Sequence, residues 1–261
     1  MEKVQLLLRQ HVGAPCAPCV AVGDKVKKGT LIATPTGLGA NIFSSVYGEV
    51  SEILEDRIVI KADAEQPDEF VPIDVPEDAS KLDMIKAAGI VGLGGAGFPT
   101  HVKLAPKDPA AIKYVIANGA ECEPYITCDD QLMRNYADEI VGGLKIMLQL
   151  FPNAEGVVLI EENKPEAITA VQKACAGETN VHVHPVQVKY PQGGERAIMD
   201  VVAGKHIKLG MLPADVGCVV DNVATVRAIY RAVAKSEPLM ERGFTVSGDG
   251  VNKPCNLMVK I

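Results

Sequence analysis

Gly92-Leu93-Gly94-Gly95-Ala96-Gly97-Phe98-Pro99-Thr100 is the densest chemical signal in this sequence. Four glycines in six positions remove Cβ atoms and let consecutive backbone N–H groups turn towards one anion. Pro99 and Thr100 suit the start of a helix, where the dipole also favours a phosphate. Lys103, three residues beyond Thr100, can lie over the same anion. The run satisfies G-x-G-x-x-G, but a dinucleotide fingerprint needs a strand immediately before the loop. The Lys81–Ala88 stretch reads as helix, so an ordinary Rossmann turn is rejected. On residues alone the loop is either an anion cradle or a tight structural turn.

Two further stretches offer polar groups in compact form. Asn118-Gly119-Ala120-Glu121-Cys122-Glu123-Pro124 follows the apolar run Tyr114–Ala117. A strand end that delivers one amide and two carboxylates has the chemistry of a ligand rim. Asn118 can donate and accept, while Glu121 or Glu123 can accept from ribose hydroxyls or a carboxamide. A solvated acidic loop is the alternative. Lys189-Tyr190-Pro191-Gln192-Gly193-Gly194-Glu195-Arg196 places two glycines at a helix start, exposing backbone N–H groups, and Glu195 suits the first turn.

Metal and thiol chemistry finds less support. Cys16-Ala17-Pro18-Cys19 is a C-x-x-C, but without a second pair a zinc or iron–sulfur site lacks ligands. No helix follows it, unlike a thioredoxin motif, and the spacing favours structural thiols over a redox pair or a metal. Cys128, Cys175, Cys218 and Cys255 show no cluster spacing. The five histidines are dispersed, and His182-Val183-His184 alternates like one exposed strand face. No metal site is assigned.

The elements that position these residues sit in a chain of 261 residues, 48% hydrophobic and 23% charged, which is long enough for a sizeable core and is not disordered. A net charge of −7 argues against nucleic acid as a partner. No apolar run approaches the ~20 residues of a spanning helix, and the first ten residues are too interrupted for a signal peptide. A cytoplasmic protein, or one peripheral on the cytoplasmic side of the membrane, is expected. Seven cysteines in such a chain fit reduced thiols.

Residues 1–62 read as short β segments with turn glycines, a small barrel. Val22-Gly23-Asp24-Lys25-Val26-Lys27-Lys28-Gly29 and Ser44-Ser45-Val46-Tyr47-Gly48-Glu49-Val50 resemble the barrel-sandwich domains that carry lipoyl or biotinyl groups. The hairpin around Tyr47 has no Lys to modify, which leaves docking or structure. Residues 63–80, with Pro67, Pro72 and Pro76 among acids, read as a linker. Residues 81–240 form an α/β domain. Its buried parallel strands lie at Tyr114–Ala117 and Gly156–Ile160, and its helices at Gln131–Gln149, Pro165–Ala174, Glu195–Val202 and Val223–Val233. Residues 241–261 read as the start of a further β-rich, SLBB-like domain that is cut short.

The glycine loop, in the form Gly-Leu-Gly-Gly-Ala-Gly-Phe-Pro-Thr-His-Val-Lys-Leu, is similar to that of the RnfC family. It also resembles the flavin loop of the NADH-binding 51 kDa subunit of complex I. Further matches follow in the family's order. Asn118–Pro124 resembles the stretch that contacts FMN and the nicotinamide. Gly193-Gly194-Glu195 resembles a loop that carries a pair of Glu in complex I, so one carboxylate is missing here. Asp221-Asn222-Val223-Ala224-Thr225 resembles the Asn-Asn-Val-Glu-Thr segment at the flavin phosphate and ribityl chain, with Asn222 and Thr225 retained. Entry into the barrel at Gln10–Cys16 is similar to the RnfC-like proteins associated with proline reductase.

The resemblance implies an electron-transfer flavoprotein, an NADH-dependent flavin oxidoreductase in which NADH passes a hydride to FMN. Gly92, Gly94, Gly95, Gly97, Lys103, Asn118, Asn222 and Thr225 would serve FMN; Glu121, Glu123, Gly193 and Glu195 would serve NADH. No protein acid or base is needed for the hydride step, so no catalytic residue is assigned. The 4Fe-4S clusters of such proteins are expected only downstream of residue 261. Partners implied are other Rnf subunits, ferredoxin, or a reductase such as proline reductase. A docking scaffold that has lost its flavin, and a cobalamin-reductase-like flavoprotein, are the alternatives.

Overall fold

The computed structural model describes residues 3–208 and 210–261, and packing divides them into two compact units. One unit contains the chain up to Lys103 together with Arg231–Arg242 and Val259–Ile261; the other contains Leu104–Tyr230 and Gly243–Met258. Packing therefore groups the glycine loop with the barrel segment, a different cut from the sequence boundary at 80/81. The local cause is visible in the backbone. Val12 N–H donates to Gly97 O (3.2 Å), and Asn41 Nδ2 donates to Ala87 O (3.0 Å).

The first unit opens with strands β1 (Lys3–Leu7), β2 (Cys16–Pro18), β3 (Lys25–Val26), β4 (Leu31–Pro35), β5 (Ile42–Phe43), β6 (Gly48–Ile53) and β7 (Arg57–Ala62). They form antiparallel sheets in the orders β1-β7-β6-β3 and β2-β4-β5. Leu6, Val26, Ile32, Val50, Ile58 and Ile60 fill the interior, each removing about 1.5–3 kcal/mol worth of apolar surface from water. The proline-rich stretch 63–80 forms no helix or strand, yet it is fastened down. Val71 N–H donates to Lys28 O (2.8 Å), and Tyr47 Oη donates to Glu69 O (3.1 Å). Gly29 lets it approach: a Cβ there would sit 2.3 Å from Val71 O, and its φ of +87° suits glycine.

Helix α1 (Lys81–Ala87) starts on a reciprocal cap between Ser80 and Asp83. It feeds the glycine loop, which closes through Gly92 N–H to Phe98 O (2.9 Å) and Thr100 N–H to Ile90 O (3.0 Å) before the short helix α2 (Thr100–Lys103). The expected helix before the loop is present.

The second unit is built on four parallel strands, β8 (Tyr114–Gly119), β9 (Glu155–Glu161), β10 (Val181–Val186) and β11 (Cys218–Asn222), in the order β10-β9-β8-β11. Val115, Ile116, Ala117, Val158, Leu159 and Ile160 are fully buried, as a sheet covered on both faces requires. Between the strands run α3 (Cys128–Asn135), α4 (Ala137–Leu148), α5 (Pro165–Ala174) and α6 (Glu195–Ile198). The last continues as a π turn over Met199–Ala203, and α7 (Val223–Lys235) follows β11. A two-stranded sheet of β12 (Glu241–Val246) and β13 (Cys255–Lys260) ends the chain.

The single helix expected over Gln131–Gln149 is two. Tyr136 leaves helical geometry at φ −133°, ψ 32°. Its ring lies 3.9 Å from the Arg227 guanidinium, whose Nε donates to Glu139 Oε2 at 2.8 Å. That buried cation fixes the break, and periodicity could not reveal it because both halves are apolar on one face.

Candidate functional site

In the first unit the glycine loop borders a cleft of about 220 Å³ lined by Gly92, Gly95, Ala96, Gly97, Asn41 and Arg242, among others. Gly94, Gly95 and Ala96 are exposed, and their N–H groups reach no acceptor among the described residues. The glycines differ in why they are glycine. Gly97 has φ +70°, and a Cβ on it would lie 3.2 Å from His11 Cα, so the chain's own packing explains it. A Cβ on Gly95 would meet nothing within 4 Å, and one on Gly92 only ordinary contacts at 3.7 Å. The protein's own atoms thus do not require glycine at 95, and without a Cβ the backbone there is open to close approach. Lys103 closes α2. A pocket for a whole ligand usually holds ~300–1,000 Å³, more than this cleft.

In the second unit the polar groups gather at the carboxyl ends of the strands. Asn118, next to last in β8, lies beside Asn222, its register partner at the end of β11. Asn118 Nδ2 donates to Gly193 O (3.0 Å), and its Oδ1 accepts from Ala120 N–H (3.1 Å). Gly193 must be glycine because a Cβ would lie 2.4 Å from Ala120 O. Asn222 Nδ2 donates to Asp129 Oδ2 (2.6 Å), and its Oδ1 accepts from Ala224 N–H (2.9 Å), starting α7. Thr225 is fully buried in the first turn of α7.

Glu121 is not on the surface. It is buried, and its carboxylate accepts from the N–H groups of Asp129 (2.9 Å) and Asp130 (3.3 Å), with Lys164 Nζ at 3.5 Å. It therefore caps α3 from outside, which is why that helix begins at Cys128, three residues before the expected start. Glu123 and Glu195 are exposed. The acidic stretch at 121–123 thus divides into one structural carboxylate and one that faces solvent.

Glu121, Cys128 and Asp129 bring three metal-type ligand atoms within 4.8 Å of one another. Burial, then the charges of Asp129 and Glu121, pushes the Cys128 thiol up, so it is protonated at neutral pH. With Glu121 already bonded to two amides, the group reads as a helix cap.

Four residues here lie outside the motifs that the sequence marks. Glu161 ends β9 buried, with Oε1 unpartnered, and burial raises its pKa above the usual carboxylate value. Lys164 sits beside Glu121. Tyr125, 81% exposed with φ +67°, stands in the loop after Glu123. Arg242 donates from Nη2 to Leu93 O (2.8 Å) across 149 residues of sequence. Only Glu161 offers a local clue, as an acid closing an apolar strand.

The C-x-x-C is not a reactive pair. Cys16 is buried, bonded to Ala40 O (3.2 Å) and His11 Nε2 (3.4 Å), and burial pushes its thiol up to about 11. Cys19 is exposed, and all seven cysteines are free thiols.

A parallel sheet ordered β10-β9-β8-β11 with polar side chains at its carboxyl edge, preceded by two small antiparallel sheets and a glycine loop, defines an α/β protein with an amino-terminal β domain. Residues 85–231 match the family described as the Nuo51 FMN-binding domain, and residues 1–71 match the RnfC barrel sandwich hybrid domain. The chain belongs to the RnfC family, and the fold class expected from the sequence is the one observed.

Among curated relatives, it is 42% identical over 278 residues to the C subunit of the proton-translocating ferredoxin:NAD(+) oxidoreductase complex of Clostridium ljungdahlii, covering 100% of this chain and 60% of that protein. It is 37% identical over 276 residues to the C subunit of the Na(+)-translocating ferredoxin:NAD(+) oxidoreductase complex of Acetobacterium woodii, covering 100% and 62%. It is 40% identical to the C subunit of the ion-translocating oxidoreductase complex of Pseudomonas aeruginosa, covering 96% and 34%. The chain thus spans from about a third to three fifths of these relatives' lengths. A solved NAD+-reducing NiFe hydrogenase in the air-oxidised state shares the fold, with TM-score 0.57 and 24% identity over 69% of this chain and 36% of that one. Among the described residues no helix is long and apolar enough to cross a membrane.

Proposed function

We propose that this chain is the flavin- and NADH-binding part of an electron-transfer oxidoreductase. The observation that carries the reading is the exposed run Gly94-Gly95-Ala96, whose amide N–H groups are unclaimed beside a cleft and whose central glycine no protein atom requires. Gly92, Gly94 and Gly95 bind the FMN phosphate through the backbone and Gly97 sets the loop's bend, while Lys103, which like Gly94 does not line the cleft, adds positive charge from the end of α2. Asn118, Asn222 and Thr225 belong to the FMN set. Of the NADH set, Glu123 and Glu195 meet the nucleotide directly. Glu121 and Gly193 act behind them, Glu121 by fixing α3 and Gly193 by letting its loop close on Ala120.

FMN, when bound, supplies the means to take up a hydride and release single electrons. The protein's residues bind and orient, and none moves a proton in that step. The names of the relatives, C subunits of ion-translocating ferredoxin:NAD(+) oxidoreductase complexes, support ferredoxin and other subunits of such a complex as partners. A peripheral place at the cytoplasmic face of the membrane belongs to the same proposal. A reductase such as proline reductase is a further candidate. The 4Fe-4S clusters would lie outside this chain.

The test is a fluorescence titration with FMN, followed by anaerobic addition of NADH while flavin absorbance is recorded. Quenching and then bleaching are expected. A protein with intact circular dichroism that leaves tens of micromolar FMN unquenched would refute the reading. It would favour a docking protein that has lost its flavin, to which the engagement of both polar groups of Asn118 and Asn222 by protein atoms lends support.

A further inference from the structure

Arg242 lies outside the residues matched to the FMN-binding family, 85–231, and outside the set that the sequence motifs mark. It is partly buried and lines the glycine-loop cleft. Its Nη2 donates to Leu93 O at 2.8 Å, whereas its Nε is buried with no partner. No carboxylate pairs with it among the described residues, although the chain carries 33 Asp and Glu. Among the described residues it is the one Lys or Arg in the cleft lining, no Asp or Glu side chain lines it, and Ile261, which also lines it, makes no ion pair with Arg242.

A partly buried cation without a counter-charge gives up hydration with nothing to offset it, and buried charges are normally paired. An N–H with no acceptor adds to that cost. Both deficits point to one missing partner, an anion in the cleft. Guanidinium presents several N–H groups in a planar fork suited to phosphate oxygens, and the contact with Leu93 O holds that fork against the loop whose next three amides are also unclaimed.

We propose that Arg242 is a binding residue of the glycine-loop cleft and provides the charge that recognises a phosphate monoester, the terminal group of FMN under the function proposed for this chain. The proposal rests on that function for the identity of the ligand, but not for the anion site itself. It makes the cleft selective for the phosphorylated flavin over riboflavin, which has the same ring and no phosphate.

The experiment compares FMN and riboflavin binding, by fluorescence quenching, in wild-type protein and the variants Arg242→Gln and Arg242→Lys. A parallel arm follows thermal stabilisation by inorganic phosphate. Arg242→Gln should weaken FMN about 10- to 100-fold with riboflavin unchanged, the scale of one lost charge-assisted contact. Arg242→Lys, a point charge without the fork, should lose about threefold or more of the FMN-to-riboflavin preference. It decides the matter if the Gln variant does not fold. A preference equal to wild type in whichever variant folds, or an equal loss for both flavins, overturns the proposal. If wild type ignores both flavins yet phosphate stabilises it and not the variants, the anion site stands and the flavin reading falls. If phosphate has no effect either, both fall.

Discussion

Asn118 and Asn222 are register partners across the parallel pair β8–β11, and each closes the same local bond, Oδ1 accepting from the N–H two residues on. That turn leaves each Nδ2 pointing sideways, one to Gly193 O and the other to Asp129 Oδ2. The pair also sits where the sheet changes direction. β9 and β10 lie on one side of β8, and β11 lies on the other. At such a point the connections after neighbouring strands leave in opposite directions and open a crevice at the carboxyl ends, the usual place for a nucleotide.

Asn118 therefore governs the loop over 189–194 as well as its own strand end. Asn118→Ala removes one donor and one acceptor that are both in use, and should cost about 1–3 kcal/mol. Asn118→Asp keeps the bond from Ala120 N–H but sets a carboxylate oxygen against Gly193 O. Urea unfolding should show both losses. Hydrogen exchange of a peptide spanning 189–196 should speed up in both variants while β8 stays protected. Unchanged exchange in that peptide would mean that the loop is held by other contacts.

Glu161 makes the stability of the second unit depend on pH. Burial raises its pKa above the ordinary 4.5 in the folded chain; the negative charges of Glu121 and Glu123 act in the same direction, while a backbone bond from Lys189 and the charge of Lys164 oppose it. A carboxyl raised on folding binds more protons folded than unfolded, so its contribution favours the native state below the ordinary value. It is lost as pH rises through the raised one. Glu161→Gln keeps the shape without the charge. Its urea midpoint should match wild type near pH 4.5 and exceed it at pH 8. A variant no more stable than wild type at pH 8 would show that the ionised carboxylate is well solvated.

What the sequence discloses follows the range of the interactions. α1 is legible because Ser80, Asp83 and the apolar spacing that follows all lie within one turn of each other. β8 and β9 are legible because strands buried on both faces are continuous apolar runs. β11 offers only Cys218, Val219 and Val220 before an acid, too short a run to stand out. The glycine loop is legible as a chemical signal. Composition cannot tell that Gly97 and Gly193 serve the chain's own packing while Gly95 does not, because that depends on atoms brought up from His11 and Ala120. Glu121 belongs on a solvent rim if judged by its neighbours in sequence. The structure turns it inward because the amides of α3 form an anion site beside it. Arg242 lies beyond any local pattern.

The break between α3 and α4 depends on the same kind of distant residue. Arg227 is buried between the Tyr136 ring and Glu139. Arg227→Met takes the cation from a partly buried carboxylate and should cost about 1–3 kcal/mol, whereas the double change with Glu139→Leu should recover most of it. Denaturant midpoints of the two single variants and the double variant measure the coupling. Additive losses would mean that the pair is solvated and that Tyr136 breaks the helix without it.

The two kinds of glycine can be separated with one methyl group each. Gly193→Ala drives a Cβ to 2.4 Å from the Ala120 carbonyl, so the backbone must shift, at about 1–3 kcal/mol. Gly95→Ala adds a Cβ that meets nothing within 4 Å, at a position without positive φ, and should leave the unfolding midpoint within about 0.5 kcal/mol of wild type. If that empty space is where a phosphate approaches the amides of 94–96, the same Gly95→Ala protein should bind FMN at least about tenfold more weakly, the effect of losing roughly 1.4 kcal/mol of contact. A Gly95→Ala protein as stable as wild type that also binds FMN as tightly would show that the bare amides there touch no ligand.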